Sequence, residues 1–272
     1  MQRAFSALLG ALTGTILIFP REAFAAAENA LTLFSRRVAP SLFPMMMVLL
    51  LLSSRMPARK ELYALLSLLS GSPGGSRLCA SLPLDMPAKR RFAALTGTLS
   101  PMFLLSAVPG IMELPSGIPL LICHLAGAAL ACLFIPKKKG LAGQMPATRQ
   151  PLSLAAAAIE AGKSLLIVCG CMVFSGVLLE MIKCALPFLP DTALTLLHLL
   201  TEITGGLQTL KSSALPHQSL LCVYFASFGG LSILMQNAAF WQKGGVGLSR
   251  LFLYRIIHAL ISTTLYAVLC CL

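Results

Sequence analysis

The feature that most constrains this chain is a series of long apolar runs almost free of charge, at roughly 5–19, 40–54, 92–113, 117–135, 155–182, 219–241 and 251–272. An α-helix of about 20 apolar residues matches the hydrocarbon thickness of a bilayer. Of the 272 residues only 11% are charged and 57% are hydrophobic, too little charge to cover a soluble domain. In lipid, the backbone is satisfied only in helices or closed barrels. The runs are Leu- and Ala-rich and do not alternate polar with apolar, which selects helices. The expected fold is an all-α polytopic membrane protein with about seven transmembrane helices.

Two further stretches do not read as simple spans. Residues 61–88 are apolar but interrupted by Gly71-Ser72-Pro73-Gly74-Gly75, and 187–216 by Thr204-Gly205-Gly206. Each arm is too short to cross alone, so each stretch reads as a re-entrant hairpin or a discontinuous helix. Residues 22–39 join 40–54 as one long helix bent at Pro40 and Pro44. The segment 1–21 starts with one Arg and an apolar run. It has signal-peptide character, with small residues at Ala23 to Ala27, but Pro20-Arg21-Glu22 is a poor cleavage site, and the reading favours an uncleaved first helix.

The polar linker 137–151 divides the rest into two units, 22–136 and 152–272, with matching order: long helix, Gly-broken hairpin, helix, helix. "SGSPGGSRL" from Ser70 stands where "TEITGGLQTL" stands from Thr201, and "TLSPMFLL" from Thr98 where "SFGGLSIL" stands from Ser227. "LICHLAGAAL" from Leu121 matches "RIIHALISTTL" from Arg255, which puts His124 and His258 at like places. The common order indicates a repeat. Arg55, Arg59 and Lys60 precede the first hairpin, Lys89 to Arg91 follow it, and the linker is basic. All three clusters are cytoplasmic only if the first hairpin enters and leaves on that side. Three spans per unit then turn the second unit upside down, the inverted-repeat plan of secondary transporters. Arg36 and Arg37 fit this poorly, because it puts them outside.

The formal net charge of +12 lies in such short clusters, without the interleaved aromatics of a nucleic-acid surface, so no nucleic-acid partner is expected. The nine cysteines form no CxxC pair and no zinc spacing; they read as packing residues, with no metal site. "AAAIEAGKS" from Ala156 approximates a phosphate loop but lacks the preceding strand and the glycine-rich turn. No Ser/His/Asp arrangement and no HExxH occur, so neither an enzyme nor a cofactor is expected.

Glu202 is the leading candidate for chemistry. A carboxylate at membrane depth must be paired, protonated or wetted. It reads either as a ligand, cation or proton site, or as a hairpin-tip helix cap. Gly74, Gly75, Gly205 and Gly206 would free backbone groups for a ligand or form a plain turn. Ser72, Ser76, Thr201, Thr204 and Gln208 could add side-chain hydrogen bonds. Ser100-Pro101 and Gly229-Gly230 weaken the spans after the hairpins, as kinks or packing grooves. Gln236 and Asn237 either line a polar cavity or approach the interface. His124 and His258 read as structural, with proton relay as the sharper alternative. Arg77 and Lys211 read as snorkelling cations rather than anion ligands.

From Arg36 ("RRVAPSLFPMMMVLLLLSS"), Ser70 and Leu95 ("LTGTLSPMFLLSAV"), then Glu202 ("EITGGLQTL"), Ser227 ("SFGGLSILMQ") and Arg255, the chain resembles the YlbJ-type sporulation integral membrane proteins over about Glu28 to its C-terminus. The resemblance implies the Gate domain of nucleoside transporters and iron-transporter membrane subunits, repeated as 22–136 and, inverted, 152–272. It also implies a multi-pass place in a bacterial cell membrane and a role in sporulation. It carries no solute identity. The chain departs from the family at Ser72-Pro73-Gly74-Gly75, where Tyr-Pro-x-Gly is common. The expected function is movement of a small polar solute across the lipid bilayer. The competing readings are a non-transporting scaffold for spore-envelope assembly and an intramembrane enzyme, the latter lacking a nucleophile–base pair. Self-association is compatible with either of the first two.

Overall fold

A computed structural model describes residues 2–57, 59–80, 82–135 and 150–271, with side chains from 6 to 270 within those ranges. Apart from residues 150 and 151, the expected linker lies outside them. All regular structure among the described residues is helical. α1 (Gln2–Ile18) leads into α2 (Pro20–Leu33), a π turn (Phe34–Val38) and α3 (Ala39–Arg55). The first hairpin is α4 (Lys60–Ser70) and α5 (Gly74–Ala80). α6 (Met86–Thr96), a π turn (Phe103–Ala107), α7 (Val108–Met112), α8 (Ile118–Ala131) and a 3-10 turn (Cys132–Phe134) follow. The second part has α9 (Leu154–Ala185), the hairpin α10 (Asp191–Thr201) and α11 (Ile203–Ser212), then α12 (Gln218–Phe228), α13 (Gly230–Trp241) and α14 (Leu248–Cys271).

Among the described residues four helices are long and apolar enough to cross a membrane: Pro20–Arg55, Leu154–Ala185, Gln218–Trp241 and Leu248–Cys270. α9, with 32 residues, is about 48 Å long at 1.5 Å per residue and exceeds the hydrocarbon layer. Its outer face keeps large apolar side chains in the open, Leu166 at 73% exposure among them, as a lipid-facing surface does.

Local chemistry sets the boundaries. Ser153 Oγ accepts the Ala156 amide at 3.1 Å to start α9, and Asp85 Oδ1 accepts the Ala88 amide at 2.9 Å to start α6. The irregularity expected at Pro40 and Pro44 is the π turn just before Pro40. Proline brings no amide hydrogen to the ladder, and the wider turn lets Ala39 bond back to the Phe34 carbonyl. The apolar stretch 92–113 is not one helix. α6 stops before Gly97, and the buried Arg255 guanidinium donates to the Ala94 carbonyl, one of the groups that a helix end leaves free. Gly229 and Gly230, at φ +86° and +73°, separate α12 from α13 in the same way.

Packing between the two parts is reciprocal. α3 lies against α9 and α8 against α14; α5 packs on α13 and α11 on α7. One apolar core gathers α3, α7, α9, α11 and α12 around Leu104, Leu199 and Leu207. A second surrounds the first hairpin, with Tyr63, Ala94 and Trp241.

Candidate functional site

The glycine pairs do not form open loops. Each opens the second arm of its hairpin, and the chain turns just before it, at 71–73 and at Glu202. A Cβ on Gly75 would sit 2.5 Å from the Ser67 carbonyl oxygen, and one on Gly206 would sit 2.7 Å from Leu199 Cα. Hydrogen at both positions lets the arms cross backbone to backbone. Gly75 and Gly206 are thus packing residues buried in the crossing, whereas Gly74 borders a small space beside Ser70 and Gly205 gives its amide to Glu202 and lines an open cavity.

The tips reach the two helix breaks. The Ser72 amide donates to the Thr98 carbonyl at 2.7 Å, and Gly71, at φ +66°, lies so close to Ser100 that a Cβ would meet its nitrogen at 2.4 Å. In the second part Gly230 approaches the carbonyls of Leu199, Leu200 and Thr201, which a Cβ would meet at 3.2–3.4 Å. Tips and breaks line a cavity of about 30 Å³ walled by Ser72, Ser100, Glu202, Thr204, Ser232 and Gln236, with Leu42, Phe103 and Met172 as its apolar side. That volume holds a water or a small ion.

Glu202 combines the two roles between which its sequence position left a choice. It is 5% exposed. Its Oε1 accepts the Thr204 amide at 2.9 Å and its Oε2 the Gly205 amide at 2.6 Å, capping α11. Glu202 also lies in the lining of a second, open cavity of about 450 Å³. Arg36, Arg37, Glu180, Lys183, His198, Gly205 and Gln208 line this vestibule, which meets the central cavity at Glu202 and Met172. The arginine pair that the charge pattern left unexplained thus lines a cavity, carried there by the π turn.

The remaining predicted residues divide. Ser72 Oγ and Ser76 Oγ both donate to Asn237 Oδ1, at 3.0 and 2.6 Å. The Trp241 indole N–H adds bonds to Ser76 Oγ at 3.0 Å and Thr96 Oγ1 at 3.3 Å. Ser76 and Gly75 are outside the central cavity, and Gly74 faces a separate space of about 10 Å³ next to Ser70. Thr201 Oγ1 bonds back to its own helix at the Leu197 carbonyl. Sequence reasoning did not foresee the wall position of Ser232, nor Asn237 as acceptor for the first hairpin; a lone Asn in an apolar helix was its one signal.

Arg77 and Lys211 do not simply snorkel. Arg77 forms an ion pair with Glu160 of α9, donates to the Glu160 carbonyl at 2.6 Å and reaches Ser164 Oγ at 3.0 Å. It lies between the 10 Å³ space and an open cavity of about 420 Å³ lined by Ser53, Ser54, Gln150 and Glu160. Lys211 pairs with Glu113 at 2.9 Å on an exposed surface.

The two histidines meet away from the cavity, edge to face, with ring centroids 4.6 Å apart. His124 Nε2 accepts the Leu99 amide at 3.1 Å, so Nδ1 carries the proton and donates to Ser227 Oγ at 3.0 Å. His258 Nε2 donates to the His124 carbonyl at 2.8 Å, leaving Nδ1 to accept from Arg255 at 3.3 Å. His124 thus spends both ring nitrogens on tying the two breaks to α8, and His258 ties α14 to α8 through the His124 carbonyl.

Among the described residues no group of three or more His, Cys, Asp or Glu could hold a metal, and the described cysteines are free thiols. No protein-family model matches the chain, and no curated protein or solved structure is significantly similar to it. The likeness to the sporulation proteins rests on the residues quoted for it.

Proposed function

We propose that the chain is a multi-pass bacterial cell-membrane transporter of a small polar solute, acting in sporulation, in which two Gate-like units of opposite orientation meet at the central cavity. α1, the Pro20–Arg55 helix, the α6–α7 pair, α8, α9, the α12–α13 pair and α14 are its seven crossings. The hairpins enter from opposite faces. The reciprocal packing of α5 on α13 and α11 on α7 supports this plan, because a twofold relation between repeats produces each cross-contact twice.

The observation that carries the reading is the position of Glu202 in the lining of both the central cavity and the vestibule. An intramembrane carboxyl group facing a polar cavity marks a solute or proton path more often than a structural role. The cavity of about 30 Å³ is too small for an organic solute. The second hairpin therefore withdraws to admit one, and the arrangement seen is the closed state.

Glu202→Gln keeps the shape and one capping oxygen. In cells carrying it, protein level and membrane location persist while sporulation fails. Comparing metabolites between spores with and without the wild-type chain identifies the solute, and the variant reproduces the loss. Wild-type sporulation and metabolites in both Glu202→Gln and Thr204→Val would overturn the reading.

A further inference from the structure

Five cations flank the feet of the first hairpin: Arg59 and Lys60 where α4 begins, and Lys89, Arg90 and Arg91 in the opening turns of α6. The arrangement is electrostatically adverse. Arg59 and Lys60 lie at the start of α4, where a helix favours anions, and Lys89, Arg90 and Arg91, beyond the first turn of α6, repel one another. The nearby carboxylates compensate little. Glu61 reaches Lys60 only at 3.9 Å with both side chains mostly exposed, and Asp85 is committed to capping α6. Among the described residues Arg59, Lys89, Arg90 and Arg91 form no ion pair, and Arg90 Nε is buried without a hydrogen-bond partner.

Beside these cations runs a groove of about 410 Å³ between α4, α6 and α8. Lys60, Arg91 and the exposed Glu61 lie in its wall, two cations to one carboxylate, and Ala64, Phe92, Leu95 and Ala129 form an apolar channel. The alanines leave room along it. Cations joined to a helix-lined apolar channel complement a molecule with an anionic head and a hydrocarbon tail.

We propose that this groove binds an anionic phospholipid of the leaflet at the feet of the first hairpin, the headgroup at Lys60 and Arg91 and one acyl chain against Ala64, Leu95 and Ala129. The site is separate from the cavity and vestibule, and it does not depend on transport. The bound lipid neutralises the two groups of cations and bridges α4 to α6, steadying the hairpin between them.

The test uses the full chain purified from phosphatidylcholine nanodiscs containing a minority of phosphatidylglycerol, with retained lipid measured by native mass spectrometry. Wild type retains phosphatidylglycerol in preference to phosphatidylcholine. At about 1 kcal/mol per cation, Lys60→Gln with Arg91→Gln weakens retention roughly 10- to 30-fold. Ala64→Trp with Ala129→Trp, which fills the channel and keeps the charges, abolishes it. Arg36→Gln with Arg37→Gln leaves it unchanged. Equal loss in the Arg36/Arg37 variant would overturn the site in favour of diffuse charge. Full retention in the tryptophan variant would overturn the acyl channel. A thermal stabilisation of detergent-solubilised protein by inorganic phosphate equal to that by phosphatidylglycerol would show a free-anion site instead.

Discussion

The two hairpins share one backbone plan and differ in what fastens them. Both turn just ahead of a glycine pair, and both cross their arms at the second glycine, Gly75 or Gly206. The first is tied to the other half of the molecule by polar bonds: Ser72 and Ser76 to Asn237, Ser76 to Trp241, and Arg77 to Glu160 and Ser164. The polar groups of the second are spent mainly within it. Glu202 caps its own helix, His198 Nδ1 lies 2.8 Å from Thr209 Oγ1, and Thr201 bonds to Leu197. Its link to the first half, Lys211 to Glu113, is exposed. It otherwise packs through Ile203, Leu207 and Leu210, and it borders the larger vestibule. Directional bonds fix a register, whereas apolar contacts permit sliding. On the proposed transport reading, the difference makes the first hairpin the anchored element and the second the moving one.

The largest expected effect would break what the hairpins share. Gly75→Leu and Gly206→Leu each drive a side chain into the facing arm and cost about 3 kcal/mol or more, enough to lose folded protein. Gly162→Leu on α9, with nothing within 4 Å of its Cβ position, is tolerated. Yield of monodisperse protein after extraction distinguishes them; equal yields would show that the arms are not in contact.

A smaller effect sharpens the difference. Arg77→Gln leaves the partly buried Glu160 with only the exposed Lys163 as its cation, at 2.7 Å, and destabilises by about 1–2 kcal/mol, discounted for exposure of roughly a quarter of the Arg77 and Glu160 side chains. The double variant with Glu160→Gln is less destabilised than the sum of the single ones. Lys211→Gln costs under about 0.5 kcal/mol, because exposed pairs contribute little. Thermal unfolding of the wild type, Arg77→Gln, Glu160→Gln, their double variant and Lys211→Gln measures all three differences, and a Lys211 effect as large as that of Arg77 would erase the contrast.

Much of this architecture was legible in the residues. Apolar runs and Gly/Pro punctuation reveal helices and hairpins, because local propensity and solvent decide both. The like placement of His124 and His258 was legible, but not that they bring α8 and α14 together. Partnership across the fold was not legible. Arg77 finds Glu160 at 83 residues' separation and Ser72 finds Asn237 at 165. Whether a hydroxyl is spent on an intramolecular acceptor or faces a cavity depends on such distant placement. The same holds for Glu202, whose sequence neighbours explain the cap but not the wall it forms with α3, α9 and α13.

Hydrogen–deuterium exchange on the full chain in nanodiscs tests the anchored-and-moving account most directly. Local opening exposes amides in proportion to how weakly a segment is held. The account predicts exchange over 191–212 at least tenfold faster than over 60–80, an opening difference of about 1.4 kcal/mol. Equal rates, or faster exchange in the first hairpin, would contradict it.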